Sequence, residues 1–465
     1  MKMALNEIAS AMHAESSHRD MSALIESVST DSRSITPGQL FFCLTGEHFD
    51  GHDYAYQAAR AGAAAVVAER PLDEVLECPV LMVRDSLIAL GRLALAWRRG
   101  SGAKVIGVTG TAGKTTVKEL LASILAQAGR TAKSLKNFNN RIGLPLCILA
   151  TDGQEDFWVM EAGISEAGEM DFLGAIMEPD LAIITNAGPG HLSGLGSTAG
   201  VAANKVRLFS HLRPQGQGLL NMDCPELMAE ALAVLPAVKT FSSRDALNTY
   251  FGAYLGLAPD GSGYGRFNLK LGGAEIELLL PRRGVFWAEN CIAAAAPADM
   301  LGLKPELIKK GLEEAVFPEQ RFMCHSCGNW LLIDDSYNAN PLSMRAALAA
   351  ASEMAEDRPL VCVLGEMREL GQDSMRLHRE LGGALADSGC QAVFWRGDFA
   401  EAVREGLDLK NWSGCWFEFD TPENFQMEWN KLPVRSGVLL VKGSRANHLD
   451  KTLGVIREEA QSCAI

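Results

Sequence analysis

"KVIGVTGTAGKTTVKELLASILAQAG", residues 104–129, joins an apolar run to a glycine-rich turn and then to apolar residues at helical spacing. The run at Lys104–Thr109 reads as a buried strand, and the residues from Lys114 onward as a helix that closes at Gly129. The turn between them resembles a phosphate loop with an unusual spelling. The common form is G-x-x-x-x-G-K-[ST], but here Val108 holds the place of the first glycine and Gly110 gives G-x-x-G-K-T-T. Backbone N–H groups from Gly110 through Thr111 and Gly113 to Thr115 are placed to wrap a polyphosphate, aided by the positive end of the following helix. Lys114 would reach the β- and γ-phosphates, and the Thr115 hydroxyl would sit on Mg²⁺. The bland alternative is a turn whose glycines serve only the backbone. A G-K-T-T directly after a buried strand favours the phosphate reading.

The rest of the chain bounds what surrounds this loop. Its 465 residues exceed what one core supports, and about three domains are expected. Hydrophobic residues at 48% and charged residues at 22% describe an ordinary soluble globular protein. A net charge of -14 argues against nucleic acid or an anionic membrane as partner, since either needs a basic face. The opening residues, with Glu7 and His13, read as a short amphipathic helix and not as a secretion signal. No apolar run approaches membrane-spanning length. The eleven cysteines are scattered, many in apolar segments, which points to buried thiols in a reducing cytoplasm. Cys324 and Cys327 form a C-x-x-C, but no second ligand pair lies at zinc-site spacing, so an incidental pair in a β-hairpin is expected.

The fold class expected is α/β in three domains. Residues 1–98 alternate short apolar runs with helical stretches, and "RGSGAK" at 99–104 reads as a linker. Residues 99–316 form a central P-loop-type domain, where "FWVMEAG" and "DLAIITNAG" supply further buried strands of a parallel sheet covered on both faces. Residues 317–465, with "WLLIDDSYNANP", "LVCVLGEM", "AVFWRG" and "GVLLVKGS", make a Rossmann-like α/β unit.

Strand ends carry the remaining chemistry. Glu161 closes one apolar strand and His191 follows another, so both fall on the sheet edge that holds the glycine loop. A carboxylate and an imidazole beside Thr115 would hold metal ions that bridge phosphate and acceptor. Each taken alone is as well explained by a solvated strand end or a loop residue. "KSLKNFNNRIGLPL" adds Asn137, Asn139 and Asn140, a pattern that usually makes turns. In "DDSYNANPLSM", Asp334 and Asp335 end an apolar strand ahead of a polar loop suited to a nucleotide ribose, with helix capping as the alternative.

In order, GTAGKTT, NFNNRIGLP, MEAGISEAGEM, GHLSGLGS, NKVRLF, DDSYNANPLSM, LGEMRELG and VKGSR resemble the Mur ligase family over almost the whole chain. That resemblance accounts for the G-x-x-G-K-T-T spelling. It implies an ATP- and Mg²⁺-dependent amide ligase of peptidoglycan precursor synthesis, active in the cytoplasm. DDSYNANPLSM with LGEMRELG is most like the branch that joins D-alanyl-D-alanine to a UDP-N-acetylmuramoyl-tripeptide. By the same resemblance, Lys114, Thr115 and Thr116 belong to the ATP-phosphate loop, and Glu161 and His191 to magnesium positions. Lys205 falls where relatives carry a lysine whose carbamylation varies within the family, which would put it beside the metal with Thr115. Asn290 matches an asparagine near adenine, and Arg321 an arginine directed at phosphate. Asp335, Asn338 and Asn340 match a nucleotide loop. Ser32, Arg33, Thr45 and Gly46 lie in the matching uridine segments, and Asn139 and Asn140 are assigned to substrate. One departure stands out: where relatives often have G-R-H-N, this chain has "GVFWAEN", with Phe286 in place of the histidine.

Two rivals remain at this level. A sibling ligase adding a diamino acid would carry D-N-P-R in its C-terminal domain, and the string is absent. A P-loop switch protein would hydrolyse ATP only to change shape, and would not need a domain resembling a UDP-sugar site. The sequence leaves open whether the tripeptide ends in lysine or meso-diaminopimelate, and a monomer is the expected state.

Overall fold

The computed structural model describes residues 1–462 apart from 17, 19, 48 and 261. Its strands form a five-stranded, a nine-stranded and a six-stranded sheet, with a two-stranded ribbon of Met3–Ala4 and Leu24–Ile25 at the start. The mixed α/β class expected from the sequence is what the chain adopts.

In the five-stranded sheet the strands Ser27–Ser29, Gln39–Phe42, Ala65–Ala68 and Val80–Met82 run parallel, and Glu15–Ser16 adds an antiparallel edge. The opening helix, Leu5–Met12, buries Leu5, Ile8, Ala9 and Met12. That is the i, i+3, i+4, i+7 stripe of an amphipathic helix.

"RGSGAK" connects the helix Ser86–Gly100 to the strand Lys104–Thr109, and the helix end leading into it is tightly packed. The helix Ser86–Gly100 runs into it, and Arg98 near its end is fully buried. The Arg98 guanidinium donates to the carbonyls of Met177, Glu178 and Ala103 and to Asp180 Oδ2 at 2.8 Å. Gly91 of the same helix lies against Phe172 and Ile176, and Trp97 Nε1 donates to Thr151 Oγ1 at 2.9 Å. Glycine and serine signal flexibility by composition, but a buried, multiply bonded arginine overrides that signal.

The nine-stranded sheet positions the site. Thr131–Lys133, Phe157–Glu161, Lys104–Thr109, Leu181–Ile184, Gln217–Asn221, Lys239–Ser242 and Tyr250–Leu257 are parallel neighbours in that spatial order. The chain leaves Lys104–Thr109 toward one side and later returns to its other side at Leu181–Ile184. Order therefore reverses around that strand, the place where open α/β sheets bind ligands beyond their carboxyl ends. Glu161 pairs with Val108 and Ile184 with Thr109, so three strands end level. The parallel expectation stops at Tyr250–Leu257, because Gly265–Lys270 and Glu275–Leu280 continue the sheet antiparallel. Their alternating burial marks an edge with one solvated face. Helices Lys114–Leu125 and Val285–Met300 pack over one face of the sheet, the second with Ala293–Ala296 wholly buried.

In the six-stranded sheet Trp330–Asp335, Gly437–Lys442, Leu360–Gly365, Cys390–Arg396 and Cys415–Glu418 are parallel neighbours. Met323–Cys327 closes one edge as a hairpin with Trp330–Asp335. Cys324 and Cys327 sit on that single strand of the hairpin. No described helix is long and apolar enough to cross a membrane.

Candidate active site

A cavity of about 470 Å³ opens where the carboxyl edge of the nine-stranded sheet meets the loops of the six-stranded one. The glycine loop forms its floor. Gly113 caps the helix Lys114–Leu125 at φ 79°, a left-handed conformation that favours glycine, and a Cβ there would lie 2.5 Å from Asn290 Oδ1. A Cβ on Gly110 would meet Thr185 Oγ1 at 1.9 Å. The loop is held from beneath: Asn186 Oδ1 accepts from Ala112 N at 2.8 Å, and Thr185 Oγ1 donates to Ala112 O at 2.7 Å. Thr111 Oγ1 accepts from Gly188 N at 3.1 Å.

Two ammonium groups converge on one carbonyl of this loop. Lys114 Nζ donates to Gly110 O at 2.8 Å and Lys205 Nζ to the same oxygen at 3.1 Å. Lys205 is almost fully buried, and no carboxylate lies within salt-bridge distance of it among the described residues. Burial first, and the charge of Lys114 second, push its pKa well below the ordinary lysine value. Desolvation lowers the pKa of Lys114 too, with Glu161 opposing. Thr116 lines the cavity beside Lys114 and Thr115, whereas Lys205 sits behind the loop.

Glu161 is the hub of the next layer. It is buried; its Oε2 accepts from Thr115 Oγ1 at 3.0 Å and its Oε1 from Asn139 Nδ2 at 2.7 Å. Lys118, one turn beyond Lys114, is wholly buried with Nζ 4.0 Å from Glu161 and 3.1 Å from Glu119. That ammonium also donates to the carbonyls of Ser134 at 2.9 Å and Lys136 at 3.2 Å, anchoring the loop that carries Asn139. Asn140 does not reach Glu161; its Oδ1 accepts from Ile142 N and Gly143 N, the turn role usual for asparagine.

The six-stranded sheet contributes the other wall. Arg321 Nη2 donates to Thr115 Oγ1 at 3.2 Å, and its guanidinium stacks 4.0 Å over the Tyr337 ring. Its buried Nε has no partner among the described residues. Asn340 caps the helix Pro341–Ala355 through Ser343 N and also donates from Nδ2 to Thr111 O at 3.3 Å. Capping and contact with the phosphate loop are thus both real for this residue. Asp335 accepts from Phe322 N at 3.0 Å and from Lys442 Nζ at 2.6 Å, and Lys442 also holds Asn338 O at 3.0 Å. His191 lies on the cavity wall with Nδ1 against Glu369 and 3.2 Å from Ser165 Oγ. The His191 contact holds the Glu369 carboxyl below its usual range. Phe286 lines the cavity and packs edge-on against Phe322 at 5.1 Å. Glu289, bonded to Asn186, is raised to about 7 mainly by burial.

Ser32, Arg33, Thr45 and Gly46 stand outside this cavity. Ser32 Oγ donates to Gln57 Oε1 at 3.3 Å, and Arg33 pairs with Asp31 at 2.8 Å. Thr45 bridges to Asp50, and Gly46 N donates to Phe49 O. Sequence reasoning did not single out Lys118, Asn186, Glu289, Tyr337 or Lys442. Glu369 lies inside LGEMRELG, where no residue pattern gives it a role. A lysine four residues after Lys114, on the same helical face, was the one signal for Lys118.

Magnesium is implied by the family, and the donors suit it. Thr115 Oγ1 and the Glu161 carboxylate are hard oxygen donors 3.0 Å apart. Mg²⁺ is commonly held by one or two carboxylates plus phosphate and water. Among the described residues no three His, Cys, Asp or Glu side chains cluster, as a protein-only cage would require.

Comparison with known proteins gives the class. Residues 24–98 match the Mur ligase family catalytic domain, 108–298 the Mur ligase middle domain, and 320–445 the Mur ligase glutamate ligase domain. The chain belongs to the Mur ligase family. Among its relatives is the UDP-N-acetylmuramoyl-tripeptide–D-alanyl-D-alanine ligase of Escherichia coli, 33% identical over 98% of this chain and 99% of that protein. The Bacillus subtilis ligase of the same name is 34% identical over 92% of each. The crystal structure of MurF from Acinetobacter baumannii superposes with a TM-score of 0.89 at 31% identity, covering 98% of this chain and 99% of that one. MurF from Thermotoga maritima in complex with ADP gives 0.83 at 25% identity, over 94% and 98%.

Proposed function

We infer that this chain is the ATP-dependent ligase that joins D-alanyl-D-alanine to the terminal carboxylate of UDP-N-acetylmuramoyl-tripeptide. The observation that carries the reading is the convergence of Thr115, Glu161 and Arg321 on one point of the cavity, in a chain alike to such ligases over its full length. A carboxylate is a poor acyl donor because its oxygen leaves badly. Transfer of the γ-phosphoryl group to it makes an acyl phosphate and releases ADP. The amine of D-alanyl-D-alanine then attacks the carbonyl carbon and expels inorganic phosphate, and the ammonium proton is lost.

Phosphoryl transfer of this kind depends on positioning and charge neutralisation. The Gly110–Thr115 backbone binds the phosphates, Lys114 and Arg321 face the charge that builds on them, and Asn186 keeps the loop in shape. Thr115 and Glu161 would hold Mg²⁺, with His191 lining the same cavity; when bound, the ion would supply neutralisation of phosphate charge. Asn290 and the Asp335–Asn340 loop take the nucleoside. Asn139 orients Glu161 near the peptide carboxylate. The unit around Ser32, Arg33, Thr45 and Gly46 holds the uridine end and takes no part in bond making. Burial and the nearby Lys114 charge lower the pKa of Lys205, which favours the neutral amine that carbamylation needs; the product would be an anion behind the loop. Ten described cysteines, all free thiols, agree with action in the cytoplasm.

A phosphate-release assay with D-alanyl-D-alanine and each UDP-tripeptide, ending in lysine or in meso-diaminopimelate, tests this reading and names the third residue. Phosphate release that ignores every UDP-muramoyl peptide and dipeptide would instead mean a nucleotide switch. Folded Lys114→Ala should lose nearly all ligation, and near-normal kcat in that variant would contradict the assignment.

A further inference from the structure

His191 and Glu369 come from different sheets. His191 follows the strand Leu181–Ile184, and Glu369 follows Leu360–Gly365. Both hold left-handed backbones, at φ 55° and 62°, which few non-glycine residues adopt. Such conformations persist where surrounding contacts over-determine them. Here Ser193 N donates to Glu369 O at 3.2 Å, and Gly371 leaves so little space that a Cβ would lie 3.3 Å from Ser193 Cα. The loop is therefore docked, and its docking carries the Glu369 carboxylate onto His191 Nδ1.

We propose that Glu369 is a positioning residue for His191, fixing the proton on Nδ1 and leaving Nε2 as the cation-facing nitrogen of the cavity. An ionised carboxylate only accepts hydrogen bonds, so the ring nitrogen against it carries hydrogen. A neutral imidazole has one such hydrogen, and Nε2 then offers its lone pair. Nε2 has no hydrogen-bond partner among the described residues. Ser165, the other neighbour of Nδ1 at 3.2 Å, both donates and accepts and cannot fix the tautomer alone. The donor state of an imidazole on the nine-stranded sheet is thus set by a loop of the six-stranded sheet. Seating that loop completes the cation site, which couples domain approach to metal binding. This rests on the reading of His191 as a metal position.

The test uses the full chain with ADP and Mn²⁺, a paramagnetic stand-in for Mg²⁺. Pulsed EPR reads coupling to imidazole nitrogen, and long-range ¹H–¹⁵N spectra, assigned against His191→Ala, read the tautomer in the metal-free protein. The wild type should show hydrogen on Nδ1 and a nitrogen coupling that His191→Ala abolishes. Glu369→Ala should mix the tautomers and weaken Mn²⁺ binding by roughly 10-fold, the lower range for lost outer partners of metal ligands. Glu369→Gln, which keeps an acceptor oxygen, should retain most of the coupling, a rescue that mere loop docking does not predict. If the wild type binds Mn²⁺ without nitrogen coupling, His191 is not a metal position and the proposal falls with that reading. Should coupling and tautomer persist unchanged in Glu369→Ala, the proposal alone is overturned.

Discussion

Lys118→Met tests whether one buried ammonium organises the acceptor side of the site. Methionine is unbranched and of similar length, so it fills the space but donates nothing. The substitution removes the hydrogen bonds to Ser134 O at 2.9 Å and Lys136 O at 3.2 Å, and the cation 4.0 Å from Glu161. Hydrogen bonds from charged donors contribute about 1.5–3 kcal/mol each, so the pair contributes at least about 3 kcal/mol. Glu119 keeps Lys133 as partner, which limits the damage on its side. The carbonyls at stake belong to the loop that carries Asn139 to Glu161, so the loss falls on local opening of residues 134–140. At 1.4 kcal/mol per factor of ten, 3 kcal/mol is roughly a 100-fold faster exchange of amides that depend on that opening. Hydrogen exchange at Leu135 and Phe138, whose N–H groups donate to Cys147 Sγ and Leu135 O, gives the measurement. Amides of the strand Lys104–Thr109 should keep their wild-type protection, and ligation should fall with Asn139 unanchored. Unchanged exchange at Leu135 and Phe138, or equal acceleration across the nine-stranded sheet, would refute the reasoning.

Arg33→Ala should raise KM for the UDP-tripeptide and leave KM for ATP alone, since remote contacts contribute binding; the reverse pattern in steady-state kinetics would reassign the first unit. Lys205→Ala should lose ligation and regain part of it with short carboxylic acids, because a carbamate supplies an anion there; a bare ammonium in crystallographic density, with no rescue, would sink the idea. Asp180 has its pKa lowered, burial being outweighed by Val105 N–H, Arg98 and Lys104. A carboxylate depressed on folding adds stability above its unfolded value, about 3.9, and loses it as pH falls through the lower folded value. Arg98→Met should therefore move acid unfolding to higher pH in a circular-dichroism titration, and an identical midpoint would count against Arg98 as the brace.

What the sequence reveals of this site is what lies close along the chain. Gly110 to Thr116 form one turn between a strand and a helix, and Glu161 is legible because parallel strands end at a common edge. Arg321 on Thr115, Asn340 on Thr111 and Glu369 on His191 depend on how two sheets approach, which no local pattern encodes. Lys118 was hidden for another reason: lysine is almost never fully buried unless paired, so a helix surface was the natural default. The antiparallel edge is readable only in part: "GRFNLK" alternates in residue type, but "EIELLL" ends in three leucines whose alternating burial no residue pattern reveals.

The helix Ser86–Gly100 bears on how such a protein can be divided. Its Gly91 face, Trp97 and Arg98 are all committed to residues 151–180, and the amino terminus of Met1 donates to Leu149 O at 3.0 Å. A gene fragment ending near residue 98 would produce a chain whose last helix exposes an apolar flank and an arginine stripped of four acceptors. Swapping that fragment for the corresponding piece of a relative would import a helix shaped for another protein's loops. The first two sheets are therefore coupled by packing, and a chimera cut near residue 98 should lose the Trp97 and Arg98 contacts to residues 151–180.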